Sequence, residues 1–163
     1  MGKRLLLVLQ GILFLFCVQA RAQSVQVIDS EGHSTAITAE QIAKLPRSIV
    51  EVMDHDTPAK FEGTPVSTLL SSVGILLGDK LKGSRLREGL LIEASDGYKV
   101  LFALAEVDPA FATRVIILAD KRDGKSLDVK EGPLRIVAPG DKRPARWIRE
   151  VTKISVVVLN GGS

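Results

Sequence analysis

Cysteine, histidine and aromatic residues are all scarce in this 163-residue chain: Cys, Trp and Tyr occur once each and His twice. A lone cysteine, Cys17, excludes an intrachain disulfide and any multi-cysteine metal site. Outside the first 22 residues the aromatics reduce to Phe61, Tyr98, Phe102, Phe111 and Trp147, a poor platform for stacking nucleic-acid bases. There is no Gly-x-Gly-x-x-Gly and no full Gly-x-x-x-x-Gly-Lys-Ser/Thr loop, since Gly124-Lys125-Ser126 has Ala119 where the first glycine belongs, so the usual nucleotide-phosphate cradles are missing. No Gly-x-Ser-x-Gly elbow occurs either. No repeat of 20–50 residues and no low-complexity run breaks the chain. What is present is ordinary globular composition, 45% hydrophobic and 25% charged, enough for one domain with its own core.

The first 22 residues differ from the rest. Lys3 and Arg4 start them, Leu5 to Val18 is almost wholly apolar, and Ala20-Arg21-Ala22 has the small-x-small spacing of a cleavage site. These three parts predict a secretory signal peptide over residues 1–22 and a single domain over 23–163. The apolar run is short for a membrane span, so no span is expected after cleavage. Bulky Phe16 before Cys17 argues against lipidation there. Removing Lys3, Arg4 and Arg21 turns a formal charge of +3 into an equal count of acidic and basic residues. It also removes the only thiol, which suits an oxidising, secreted or periplasmic location. A neutral chain with few aromatics speaks against nucleic-acid binding.

The remainder reads as α+β, mostly short strands with a few short helices. Ser24 to Ile28 alternates as a strand does, followed by the turn Asp29-Ser30-Glu31-Gly32. Thr38-Ala39-Glu40-Gln41 has capping-box spacing and starts a short helix that Pro46 ends. Ser48 to Met53 alternates again. Thr64 and Pro65 predict a capped helix start running to Gly74. Leu90–Ala94 and Lys99–Leu104 flank Ser95-Asp96-Gly97 as a hairpin. Further strands are expected at Val115–Leu118, Leu134–Ala138 and Arg149–Leu159, with turns at Arg122–Lys125 and Pro139-Gly140.

Two clusters carry chemistry. Asp54-His55-Asp56 ends a strand; in extended chain the two carboxylates share one face and the imidazole lies opposite. They form a candidate for binding a divalent metal or for acid-base work, the alternative being a solvated turn into Thr57-Pro58. Only His33 offers a second imidazole, so a zinc site would need mixed ligands. The other cluster is the basic loop Asp141-Lys142-Arg143-Pro144-Ala145-Arg146-Trp147, followed by Arg149. Forked guanidiniums and an ammonium suit phosphate or another small anion, and Trp147 offers an aromatic face. The alternative is a solvated loop with Trp147 anchored in the core.

The run GPLRIVAPGDKRPARWIREVTKI resembles the closing motif of the molybdopterin-binding domain of the sulfite oxidase superfamily. Phe61-Glu62-Gly63-Thr64-Pro65-Val66 with Leu69-Leu70 resembles that family's Gly-x-x-Leu element. Ala94–Tyr98 resembles its Asp-Gly-Tyr hairpin, and Val115–Asp120 with Asp123–Leu127 its strand-and-turn; together they cover residues 45–158. The resemblance implies a sulfite-oxidase-type fold, an oxidoreductase ancestry and molybdopterin as the cofactor. It implies Arg135, Lys142, Arg143, Arg146 and Trp147 as the cofactor-binding residues. The family ligates molybdenum through a cysteine just after the strand that precedes the Gly-x-x-Leu element. Here that stretch reads Val52-Met53-Asp54-His55-Asp56, without a thiol. The expected function is therefore an exported domain that takes a pterin or other small anion, or a non-catalytic module that keeps the fold and meets a protein partner.

Overall fold

The computed structural model describes residues 24–159. The expected signal peptide, residues 1–22, and the polar end at 160–163 lie outside the described residues.

Two sheets share one hydrophobic core. The first runs β2-β1-β10-β5-β6, built from β1 (Ser24–Ile28), β2 (Ser34–Thr38), β5 (Glu88–Ala94), β6 (Lys99–Ala103) and β10 (Val151–Val158). The closing strand β10 lies in the middle, parallel to β1 and antiparallel to β5. The second sheet runs β3-β4-β7-β8, from β3 (Ser48–Asp54), β4 (Thr57–Pro65), β7 (Ile117–Arg122) and β8 (Lys125–Ser126), with β9 (Arg135–Val137) also paired to β7. Three short helices, α1 (Ala39–Ala43), α2 (Val66–Ser72) and α3 (Leu104–Val107), complete an α+β architecture. Alternation explains the core: Val25 and Val27 of β1, Leu90 and Ile92 of β5, and Ala59 and Phe61 of β4 all point inward, joining Leu69 and Leu70 of α2.

The capping box at α1 forms as expected: the Gln41 amide donates to Thr38 Oγ1 and the Thr38 amide to Gln41 Oε1. The helix start at Thr64 is different. Thr64 is the buried penultimate residue of β4, and its hydroxyl donates to the Ile42 carbonyl, tying β4 to α1; Pro65 takes the cap position. The stretch Thr57–Pro65 holds two prolines and a glycine, which read as breakers, yet it is the longest strand. The ladder tolerates them for a positional reason. The last β4–β7 partners are Phe61 and Arg122, so Pro58 sits beyond β7's reach and its missing N–H costs no ladder bond there. The last strand begins at Val151, two residues later than expected, because Glu150 turns to φ +49° and a bulge follows between Val151 and Lys153.

Gly63 is required by close approach: it faces Ala119 across the β4–β7 ladder, where a methyl group would strike the Leu118 carbonyl oxygen and Ala119 Cα. These are backbone atoms in a paired strand and cannot yield. Gly63→Ala is expected to lower stability by about 2–3 kcal/mol, read as a lower urea midpoint; an unchanged midpoint would show that the ladder can open there.

Candidate functional site

A cleft of about 760 Å³ opens where four connections meet: the β3–β4 turn, the β5–β6 turn, the loop before β9 and the basic loop between β9 and β10. Each connection supplies a cation or a wall. The β3–β4 turn brings His55, the loop before β9 brings Lys130, and the basic loop brings Arg143 and Arg149. Tyr98 of the β5–β6 hairpin and Trp147 form the aromatic walls, with Asp96 and Glu150 at the same cleft. The Tyr98 hydroxyl donates to the Ala145 carbonyl at 3.0 Å, joining hairpin and basic loop.

The cleft cations differ from most of the arginines, although Arg87 and the lysines Lys80, Lys82, Lys125 and Lys142 are likewise without an ion pair among the described residues. Arg47, Arg85, Arg114, Arg122, Arg135 and Arg146 each hold a carboxylate. Lys130, Arg143 and Arg149 are exposed and, among the described residues, hold none. Three such cations against the two carboxylates Asp96 and Glu150 leave the cleft with a formal excess of one positive charge, which favours a small anion.

Beneath the cleft lies a closed lattice of charge. Asp54, at the end of β3, is 4% exposed. Its Oδ2 accepts from Arg122 Nη1 at 3.0 Å and from Arg135 Nη1 at 3.3 Å. Glu131 Oε1 accepts from the same two nitrogens at 3.0 and 2.8 Å. Arg135 lies over the Phe61 ring at 5.0 Å and the Trp147 ring at 5.7 Å, and those rings meet edge to face. Trp147 is buried, its indole N–H donating to the Ala138 carbonyl at 3.0 Å.

A second lattice supports the basic loop from behind. Arg146 bonds both oxygens of Asp141 at 3.0 and 2.8 Å, stacks on Phe102 at 4.3 Å and reaches Glu106, which Arg114 also holds. Burial pushes the Asp141 carboxyl up, but hydrogen bonds from Arg146 and Arg114 outweigh it and hold the acid below the ordinary aspartate range. Arg146 is shifted upward in turn, first by its bond to Asp141.

The residues expected from sequence thus divide. Arg143 and Trp147 line the cleft. Arg135 and Arg146 are engaged by carboxylates, and Lys142 is exposed away from the cleft lining. Asp54, His55 and Asp56 do not share an extended face. His55 and Asp56 both take positive φ, +49° and +63°, as the two central residues of a tight hairpin turn, so Asp54 turns inward while the other two stay exposed. Among the described residues no group of three His, Cys, Asp or Glu side chains is placed to hold a metal ion. His33 is engaged by Asp29 in the turn before β2. Lys130 and Tyr98 were missed as site residues. Lys130 sits in an unremarkable turn, and only the tertiary fold brings it to the basic loop.

No protein-family model matches the chain, and no curated protein matches it in sequence. Among solved structures it is similar to the sulfane dehydrogenase SoxCD from Paracoccus pantotrophus, with a TM-score of 0.62 at 16% identity. The match covers 83% of this chain but 38% of that one, so the chain spans well under half of the dehydrogenase's length. A likeness at this identity establishes the fold and leaves function to the site.

Because Asp141 is more acidic folded than unfolded, its ion pairs stabilise the chain above the ordinary aspartate pKa of about 4 and are lost as pH falls through the lowered folded value. Asp141→Asn should therefore be less stable than wild type at pH 7, and the gap should close in strong acid. Thermal melts from pH 7 to pH 2 check this; parallel curves for the two proteins would disprove the coupling.

Proposed function

We propose that the chain is an exported small-anion-binding protein, holding the phosphate-bearing end of a pterin or another compact anion in the cleft. One observation carries this reading: Lys130 from one loop and Arg143 and Arg149 from another reach one cleft, and none of them has a carboxylate partner among the described residues. The aromatic walls Tyr98 and Trp147 leave room for a flat ring beside the charge, which fits the pterin suggested by the family resemblance. Export rests on the three-part leader and the thiol-free remainder. The likeness to SoxCD supports a shared fold with part of a dehydrogenase, and the redox role of that protein is not needed for anion capture.

The test is calorimetric titration of the chain lacking residues 1–22 with inorganic pyrophosphate at low salt. Charge-assisted bonds contribute about 1.5–3 kcal/mol each, so Arg143→Glu with Arg149→Glu should weaken binding at least ~100-fold. Reversal of exposed Lys44 and Lys60, which lie outside the cleft, should change it little. Equal affinity for wild type and the Arg143/Arg149 variant would remove the cleft from consideration.

A further inference from the structure

We infer that this chain takes its ligand without molybdenum, because the stretch where the resembled family carries its metal ligand, here Val52 to Asp56, has no thiol and its Asp54 anchors a buried ion-pair lattice. The inference deepens the cleft reading and rests on it for the ligand alone.

The chemistry of the donors comes first. Molybdenum in the resembled family is held by a soft thiolate, and the only thiol here is Cys17 in the expected leader. The residue that ends the corresponding strand is Asp54, a hard oxygen donor that is already fully engaged. Arg122 Nη1 reaches Oδ2 at 3.0 Å, and Arg135 reaches Oδ2 at 3.3 Å and Oδ1 at 3.5 Å. Glu131 completes the set, so two cations and two anions close on each other with no net charge left over.

A metal arriving at Asp54 would have to displace these guanidiniums. Arg135 is 4% exposed and lies between the Phe61 and Trp147 rings. Its Nε already has no hydrogen-bond partner, so it has no spare contact with which to absorb the loss of a carboxylate. Two positive side chains beside the carboxylate would also repel an incoming metal cation. No neighbouring donor compensates. His55 lies 3.8 Å from Asp54 on a side chain that is 80% exposed, and no third ligand gathers with them among the described residues. Asp54 is thus a positioning residue for the β3–β4 turn, holding the His55 wall of the cleft against β7 and β9.

The experiment uses the chain with its own leader, expressed in a host that makes molybdopterin. Elemental analysis of the purified protein should give molybdenum at the level of a host-only blank, and pyrophosphate affinity should be unchanged by a chelator. Asp54→Asn, which weakens the lattice, should lower the melting temperature by about 10 °C. Below that melting temperature pyrophosphate affinity should fall a few-fold, far less than for the Arg143/Arg149 reversal, because the His55 wall loosens while the cleft cations stay in place. If Asp54→Asn does not fold, Glu131→Gln takes its place: it relieves the same two guanidiniums of one carboxylate, and the same drop is expected. Stoichiometric molybdenum in the wild type, or an unchanged melting temperature in the folded variant, overturns the inference. Absence of pyrophosphate binding together with absence of molybdenum overturns the cleft reading and leaves this inference standing.

Discussion

The burial of Arg135 is the constraint on which the cleft side of this structure depends. A guanidinium cannot lose its charge at any ordinary pH, so one placed under two aromatic rings must bring carboxylates in with it. Asp54 arrives from the end of β3 and Glu131 from the loop before β9, and Arg122 on β7 shares both. Four separate pieces of chain are thereby fixed to one point. Trp147, whose ring covers Arg135, extends the constraint to the basic loop, and its indole bond to Ala138 fixes the ring's angle. The β3–β4 turn, the loop before β9 and the Trp147 wall are thereby tied to one buried charge, while Tyr98 is held by the Ala145 carbonyl.

This arrangement separates two uses of arginine on nearly adjacent positions. Arg146 and Arg143 lie three residues apart, one behind the loop and one in front of it. Arg146 turns back onto Phe102, Asp141 and Glu106, and so gives the loop a rigid support. Arg143 and Arg149 are left facing water without an ion pair, although Asp96 and Glu150 share the cleft with them. Such exposed charges contribute little to stability, and their effect is felt by ions in solution and weakened by salt. The formal charge of the folded part is balanced overall, so its positive character is a local property of these loops.

Much of the fold could be read from local pattern. The alternation of Ser24–Ile28, the capping box at Thr38 and the Ser95-Asp96-Gly97 hairpin each follow from short-range rules, and the structure has all three. β4 was hidden because Pro58, Gly63 and Pro65 are breakers in isolation. Only the register against β7 shows that Pro58 lies past the end of the ladder and that Gly63 is needed for close approach. The site divides in the same way. Arg143 and Trp147 belong to a contiguous motif and were legible. Lys130 meets them only through tertiary folding, and the roles of Arg135 and Asp54 depend on partners 81 residues apart. Charge type was visible along the chain, whereas charge pairing was not.

The remaining question is why the β3–β4 turn is built from His55 and Asp56 when asparagine and glycine adopt its geometry at less cost. A non-glycine residue at positive φ is strained by about 1–2 kcal/mol, and four occur among the described residues: His55, Asp56, Asp123 and Glu150. Two of them are repaid locally. Asp123 accepts from the Lys60 amide and donates its own N–H to the Lys60 carbonyl, stitching β7–β8 to β4. Glu150 accepts from the Ser95 hydroxyl, while its carbonyl takes the Ser95 amide. His55 makes no hydrogen bond among the described residues, and its imidazole approaches only Asp54, beyond bonding distance at 3.8 Å. Local bonding therefore does not account for a histidine at this strained position. What distinguishes it is its place in the lining of the cleft, together with residues of the basic loop, where the ring presents polar nitrogens that glycine lacks.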